Sequence, residues 1–105
     1  MPSVLLTKRI EFAAAHRYIK PEWDEAKNRT NRSKHGISFE LAQWAFEDPF
    51  AILIQDRDVD SEQRFQLIGA AESRVLLVAH AIRDFEGDGE PRVRIISARK
   101  ATPGE

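Results

Sequence analysis

The segment RVRIISARKA, residues 92–101, combines side chains that suit phosphate chemistry. A hydroxyl and two cations, Ser97, Arg99 and Lys100, fall within four consecutive positions of this strand-like segment. Arginine stays charged at physiological pH, and its planar guanidinium binds phosphate oxygens in bidentate fashion. The segment is therefore suited to a phosphate site. It is also compatible with a serine buried against a backbone carbonyl, next to solvent-exposed cations.

A second candidate lies in QRFQLIG, residues 63–69, where polar and apolar side chains alternate. Glu62 precedes Arg64 by two positions, so in an extended strand both side chains point to the same face. A carboxylate next to the guanidinium would fix the fork of Arg64 for a phosphate. The alternative is a surface ion pair, which contributes little to stability.

One histidine lies inside an aliphatic segment, RVLLVAHAI, residues 74–82. Alternation places His80 on the same face as Leu76 and Val78. A histidine among aliphatic residues is more often a hydrogen-bonded structural residue than a catalyst. Its ordinary pKa near neutrality still makes His80 the natural candidate for proton transfer. Arg83 follows the segment, where an arginine either binds an anion or simply keeps the surface soluble.

Charge is distributed unevenly along the 105 residues, although the net charge is only −1. Residues 1–35 hold eight Lys or Arg and four Asp or Glu, residues 36–91 hold four and twelve, and residues 92–105 hold four and one. Lys27 and Lys34, seven positions apart, share one face of a predicted helix. If the two basic ends meet, they form a patch suited to phosphates; the alternative is a solvated mixed surface.

Several classes of site are disfavoured by what the sequence lacks. It has no cysteine, so disulfides, thiolate zinc sites and a cysteine nucleophile are excluded. It has no glycine-rich phosphate loop and no HExxH motif, and His16, His35 and His80 show no ligand spacing. We therefore expect no metal and no cofactor. No apolar run approaches the ~20 residues of a membrane helix, and we expect a cytoplasmic protein.

The remaining pattern predicts helices followed by strands. One helix is expected to begin after Asp24 and to end at Gly36. A second, FELAQWAFE at residues 39–47, is expected to follow Ser38 and to stop at Asp48-Pro49. Its side chains Leu41, Trp44, Ala45 and Phe46 are expected to face a core.

Four strands are predicted after these helices. Alternation in the last strand places Val93, Ile95 and Ser97 on one face, with Arg99 following them. Two helices followed by a run of strands predict an α+β fold, in which helices cover one face of an antiparallel sheet. The predicted strands are residues 50–55, 63–69, 74–82 and 92–98.

From Glu22 to about Thr102 the chain resembles the BrnT family of type II toxins. The resemblance rests on the joint order and spacing of many short matches, because each single match is weak. The matching positions are Trp23-Asp24, Lys27, Asn31, Lys34-His35-Gly36, Ser38-Phe39, Asp48-Pro49, Asp56, Glu62, Arg64, Gly69 and the run Ile95-Ile96-Ser97-Ala98-Arg99-Lys100-Ala101.

The resemblance implies a RelE-like fold with two N-terminal helices packed on a four-stranded antiparallel sheet, spanning residues 22–105. Residues 1–21 would be an N-terminal extension, with a possible extra strand. The implied activity is metal-independent cleavage of RNA, in which the 2′-OH attacks the adjacent phosphate and translation stops. The implied partners are RNA and a BrnA-like antitoxin, with operator DNA bound only through the antitoxin.

The resemblance implies roles for Lys27, His35, Glu62, Arg64, Ser97 and Arg99, whereas the role of His80 rests mainly on the chemistry of its side chain. The expected catalytic residues have charge or proton-transfer chemistry, with the arginines on the phosphate and either His80 or Glu62 as acid or base. The expected RNA-binding residues are basic or hydroxyl-bearing. The catalytic set is Glu62, Arg64, His80, Arg83 and Arg99, and the RNA-binding set is Lys27, Lys34, His35, Ser97 and Lys100.

Two alternatives belong to other functional classes. The same fold could serve as a non-catalytic module that binds the antitoxin and regulates transcription. The segment TKRIEFAAAHRY, residues 7–18, is similar to the first strand of 6-pyruvoyl-tetrahydropterin synthase-like enzymes, in which such a histidine binds zinc. His16 would be that ligand, but the further histidine pair of those enzymes is missing from this sequence.

Overall fold

The computed structural model describes residues 21–56, 63–83 and 92–102. Its first helix, α1, is Glu25–His35. The Asp24 carboxylate accepts a hydrogen bond from the Ala26 N–H at 3.1 Å, which satisfies one of the free donors of the first turn. Gly36 ends the helix at φ 73°, a left-handed conformation that glycine adopts without strain. Both predicted ends of this helix are confirmed.

The second helical segment changes its geometry along its length. Helix α2 is Phe39–Ala42, and a 3₁₀ helix continues it over Gln43–Glu47. Ser38 caps α2 as predicted, accepting a hydrogen bond from the Leu41 N–H at 3.1 Å. The prediction for Trp44 was wrong, because its side chain is 52% exposed. With three residues per turn, the 3₁₀ geometry repeats the buried position of Ala42 three residues later and leaves Trp44 outside.

The strands form one antiparallel sheet in which chain neighbours are also sheet neighbours. The helices precede the strands within the described part of the chain, so the α+β class and the four-stranded antiparallel sheet are confirmed. A tight turn at residues 72–73 joins the second strand to the third. The strands are β1 Ile52–Gln55, β2 Gln63–Ala71, β3 Arg74–Arg83 and β4 Arg92–Lys100, in the order β1-β2-β3-β4.

The apolar core lies between the helices and one face of the sheet. Ile37, from the connection between α1 and α2, and Phe39, from α2, are fully buried there. Leu76 and Val78 of β3 are fully buried in the same core. The 3₁₀ helix approaches β2 so closely that a Cβ at Gly69 would lie 2.7 Å from the Ala45 carbonyl oxygen. Glycine is therefore required at that position of β2.

Helix α1 packs on β4 through amides instead of apolar side chains. The Asn31 side chain donates to the Ala98 carbonyl at 2.8 Å and accepts from the Ala98 N–H at 3.1 Å. It thus takes the place of a neighbouring strand at the outer edge of β4. Asn28 accepts from the Phe39 N–H at 2.9 Å and donates to Glu40 at 2.9 Å, which joins α1 to α2. Both asparagines are buried.

The structure does not test the predictions for the N-terminal segment or the RelE-like assignment. Residues 1–20, with the expected extra strand and His16, lie outside the described residues. The RelE-like assignment stays a prediction. No helix in the described part of the chain is long and apolar enough to span a membrane.

Candidate functional site

Five arginines share the face of the sheet that points away from the helices. Directly opposed residues of antiparallel strands have side chains on the same face. Through this register, Arg64 and Arg94 both lie on the face of Ala81, and the next alternate position of β3 on that face is Arg83. We call this surface the arginine face, defined by Arg64, Arg83, Arg92, Arg94 and Arg99.

The register fixes how close these positions are. Ala81 of β3 pairs with Arg64 of β2 on one side and with Arg94 of β4 on the other. Because neighbouring strands lie about 4.8 Å apart, the two arginine backbones are separated by roughly 10 Å. Both side chains are half-buried, and the Nε of Arg64 is shielded from solvent. Two long guanidinium side chains at this separation are able to contact one phosphate group.

A bulge in β4 brings Arg99 to the same face. Ile95 pairs with His80 and Ser97 pairs with Ala79, so Ile96 is an extra residue without a partner on β3. The prediction that Ser97 and Arg99 follow the face of Val93 and Ile95 was wrong for this reason. Beyond the bulge, Ser97 and Arg99 lie on the arginine face, where Arg99 pairs with Leu77.

A carboxylate next to Arg64 was predicted from the sequence. Glu62 lies outside the described residues. Asp56, which follows β1, donates its backbone N–H to the Arg64 carbonyl at 2.8 Å. The Asp56 carboxylate accepts a hydrogen bond from Gln66, whose Nε2 lies 3.4 Å away. Among the residues that the structure describes, Asp56 is therefore a carboxylate-bearing residue next to Arg64. Its position directly after a predicted strand could have identified it from the sequence.

His80 lies on the opposite face of the sheet from the arginines. Its ring packs between Phe46, at a centroid distance of 4.8 Å, and Phe65, at 6.0 Å. Its side chain is buried, and its Nδ1 lies 3.1 Å from the Val78 carbonyl oxygen. Burial disfavours the charged form and lowers the pKa of His80 to about 4. The structure therefore separates His80 from Arg64, Arg83 and Arg99.

A recess between α1 and β4 gathers four of the five predicted RNA-binding residues. It has a volume of about 310 Å³, and its basic and hydroxyl-bearing lining comes from both elements. Within the described residues, the basic helix α1 therefore lies beside the last strand. The predicted residues in this lining are Lys27, Lys34, His35 and Ser97.

Residues 23–105 match the family described as the ribonuclease toxin BrnT of type II toxin-antitoxin systems. The chain belongs to the BrnT family. The match covers most of the 105 residues and includes the helices, all four strands and every predicted site residue. No curated protein sequence matches the chain. The family description supports a ribonuclease toxin that works with an antitoxin.

The arginine face of this BrnT-family chain includes two arginines that the sequence prediction did not include, Arg92 and Arg94. Arg94 alternates with Val93 and Ile95 in the same strand as Arg99, and this alternation was a usable signal. Lys100 lies apart from both groups, because it pairs with Leu76, which faces the helices. Its side chain is exposed at the end of β4. Arg92 pairs with Arg83 and forms an ion pair of 3.0 Å with Glu22.

The arrangement offers cations and hydrogen-bond donors for a phosphate. Across residues 21–56, 63–83 and 92–102, no three His, Asp or Glu side chains lie close enough to hold a metal ion. Fixed positive charges can stabilise the negative charge that develops on a phosphate during transfer. The arginine face and the recess together therefore suit the binding of a phosphodiester chain.

Proposed function

We propose that this BrnT-family chain cleaves RNA without a metal, by attack of a ribose 2′-OH on the adjacent phosphate, and so inhibits translation. The observation that carries the proposal is a set of cations on one face of the sheet, Arg64, Arg83 and Arg99. Each belongs to a different strand, and the sheet places all three on one face. The proposal extends to a RelE-like fold for the domain and to a cytoplasmic site of action.

The reaction forms one bond and breaks another at phosphorus. The 2′-oxygen loses its proton and bonds to the phosphate, while the bond to the leaving 5′-oxygen breaks and that oxygen takes up a proton. The products are a 2′,3′-cyclic phosphate and a free 5′-OH. The phosphorane between these states carries extra negative charge, which Arg64 stabilises together with Arg83 and Arg94, the nearest arginines on that face. Arg99, whose partner Leu77 lies four positions from Ala81 along β3, binds an adjacent phosphate of the RNA. Loss of one preorganised donor of this kind typically costs about 10²–10³-fold in rate.

The proton acceptor in this scheme is a carboxylate. Glu62 is our first candidate, either as the base or as the group that orients Arg64. Asp56, which follows β1 and pairs with Arg64 through its backbone N–H, is a second candidate for the base. We leave His80 out of the catalytic set, because its burial on the helix side keeps the ring away from a phosphate on the arginine face.

The proposed RNA path continues from the arginine face to the recess. Ser97 belongs to both surfaces, because it pairs with Ala79 on the arginine face and lines the recess. In this position its hydroxyl hydrogen-bonds a phosphate. Lys27, Lys34 and His35 hold the RNA backbone beyond it. Lys100 adds charge near the path without sharing either surface.

We further propose that a BrnA-like antitoxin covers the arginine face, and that operator DNA is bound only through that antitoxin. Apolar side chains border the arginines on the same face. Ile52 and Ile54 of β1 and Val75 of β3 are each about half exposed. The row that contains Arg99 also includes Leu77 and ends at Ile52. An amphipathic segment with acidic side chains would match this combination of apolar and basic surface.

The test is cleavage of a labelled RNA by the purified protein in excess chelator. We expect cyclic-phosphate ends from the parent and at least about a 100-fold lower rate from the Arg64→Ala/Arg99→Ala variant. The control, Arg29→Ala/Arg32→Ala, removes the same charge from the exposed side of α1 and should cleave like the parent. Equal cleavage by the parent and the Arg64/Arg99 variant would refute the assignment of these arginines. Activity that the chelator abolishes would refute the metal-independent mechanism.

If none of these proteins cleaves free RNA, the same set is assayed in a translation extract. Inhibition of translation by the parent, but not by the Arg64/Arg99 variant, would indicate cleavage that depends on the ribosome. No inhibition by any of them would favour the non-catalytic antitoxin-binding module.

A further inference from the structure

The bulge in β4 forms part of the wall of the recess between α1 and β4. Ile96, the extra residue of the bulge, lines the recess together with Ser97. From α1 the lining includes Lys27, Thr30 and Lys34. These helix positions recur every three or four residues and so form one continuous face. Bulges often redirect side chains next to functional sites.

We propose that this recess binds one nucleobase of the RNA, from a nucleotide next to the cleaved phosphate, and thereby determines sequence preference. The inference rests on the proposed function for its placement next to the cleaved bond. It adds a substrate subsite to the contacts with the RNA backbone.

The lining offers surfaces that suit a base and not only a phosphate. His35 contributes an aromatic ring, and Ile96 contributes an apolar side chain, to the same recess. Proteins bind unpaired RNA bases by stacking them on aromatic rings, histidine included, within apolar surroundings. Thr30 and Ser97 add hydroxyls that can both donate and accept hydrogen bonds at a base edge. Phosphates, in contrast, need only exposed cations, and they carry no sequence information.

The two lysines are placed to bind the phosphates on either side of that base. Lys27 and Lys34 are seven positions apart on α1, which corresponds to about 10 Å along the helix axis. Both side chains are exposed, and both line the recess. A nucleotide between them would place its two flanking phosphates near opposite ends of this lysine pair.

The recess is continuous with the arginine face through β4. Ser97 lies three positions after Arg94, within about 10 Å along the strand. Ala79, which pairs with Ser97, is two positions before Ala81, which pairs with Arg94. A chain held at the arginines therefore has a short route to the recess, and the bound base belongs to a neighbouring nucleotide.

The experiment measures binding of fluorescein-labelled 2′-O-methyl RNA ten-mers, which lack the attacking 2′-OH and cannot be cleaved. One probe carries bases throughout, in separate A, U, C and G versions, and a matched probe is abasic at its four central positions. We expect the parent to bind at least one base-containing probe about fivefold or more tightly than the abasic probe. His35→Ala and Ile96→Ser should each reduce that ratio, and His35→Phe should keep it.

Two controls separate base binding from general loss of charge. Lys27→Ala/Lys34→Ala should weaken both probes and reduce the salt dependence of binding. Arg29→Ala/Arg32→Ala, on the other side of the same helix, should leave the ratio unchanged. A parent that binds abasic and base-containing probes equally would overturn the proposal, as would an unchanged ratio in both His35→Ala and Ile96→Ser. Because these probes cannot react, failure of the cleavage proposal would be seen separately, in the assay on ordinary RNA.

Discussion

Arg64 and Arg94 stand in register on either side of Ala81, so that two arginines from strands two apart share one row of the sheet. The alanine between them has a side chain too short to separate the guanidinium groups. An anion above Ala81 would therefore meet cations from two sides. This geometry makes Arg94 a candidate for the proposed reaction, in addition to the arginines that the sequence indicated.

Replacing Arg94 tests this row directly. We expect Arg94→Ala to lower kcat/KM for RNA cleavage by at least about tenfold, since one of the cations around the phosphate is lost. The kcat/KM of Arg94→Lys should fall between those of the parent and Arg94→Ala, because lysine keeps the charge but not the bidentate fork. Arg74→Ala, at the far end of β3, removes the same charge and should have little effect. A rate for Arg94→Ala equal to that of the parent would exclude Arg94 from the site.

The local signals in the sequence were sufficient for the elements, but the faces of the last strand were predicted wrongly. Asp24, Gly36 and Ser38 set helix ends through their own side chains or backbone, so these ends were predictable. The bulge at Ile96 does have a local signal, because the apolar positions shift from 93 and 95 to 96 and 98. The regular-strand prediction, which placed Val93, Ile95, Ser97 and Arg99 on one face, overlooked this change of phase. That one extra residue moves Ser97 and Arg99 to the other face.

The sequence also predicted the candidate site only in part, because it indicates the chemistry of each residue better than its face of the sheet. Residue chemistry identified Arg64, Arg83 and Arg99, and the sheet places them on one face. Chemistry also favoured His80, but a strand pattern shows only which side chains share a face. It does not show which face meets the helices. His80 lies on the helix side, where Phe46, distant in sequence, completes its surroundings.

The burial of His80 predicts a loss of stability at mildly acidic pH. Its pKa is about 4 when folded and near 6.5 when unfolded, so between these values the unfolded chain binds more protons. The free energy of unfolding therefore falls as pH decreases through this window. The contribution is about 2 kcal/mol between pH 7 and pH 5.

Urea denaturation at pH 7 and pH 5 measures this contribution. His80→Phe keeps an aromatic ring between Phe46 and Phe65 but cannot titrate, so it should lose about 2 kcal/mol less than the parent over this interval. The same variant should still cleave RNA at pH 7, because His80 is absent from the proposed catalytic set. An equal pH dependence in both proteins would contradict the titration, and loss of cleavage in a folded variant would return His80 to the site.

The apolar side chains that border the arginine face predict which substitution would weaken antitoxin binding. Ile54 is 44% exposed on that face, next to Gln66 in the register. Ile54→Glu should reduce affinity for a BrnA-like antitoxin by about tenfold or more, since it places a charge within apolar contact surface. Titration calorimetry with the purified partner measures this effect. Val75→Thr serves as a milder change at the other edge of the apolar border. Unchanged antitoxin affinity in Ile54→Glu would place the interface elsewhere.

The Asn31 amide predicts a large stability effect at a polar residue. It donates to the carbonyls of Ile37 and Ala98 and accepts from the Ala98 N–H, all within a buried region. Asn31→Leu would leave these backbone groups buried without their partner, at a cost of about 1–3 kcal/mol for each unsatisfied group. We therefore expect a lower urea midpoint for this variant. Ser33→Ala, exposed on the same helix, should change it little. A midpoint near that of the parent would mean that β4 keeps its edge without the amide, and that α1 is held by its other contacts.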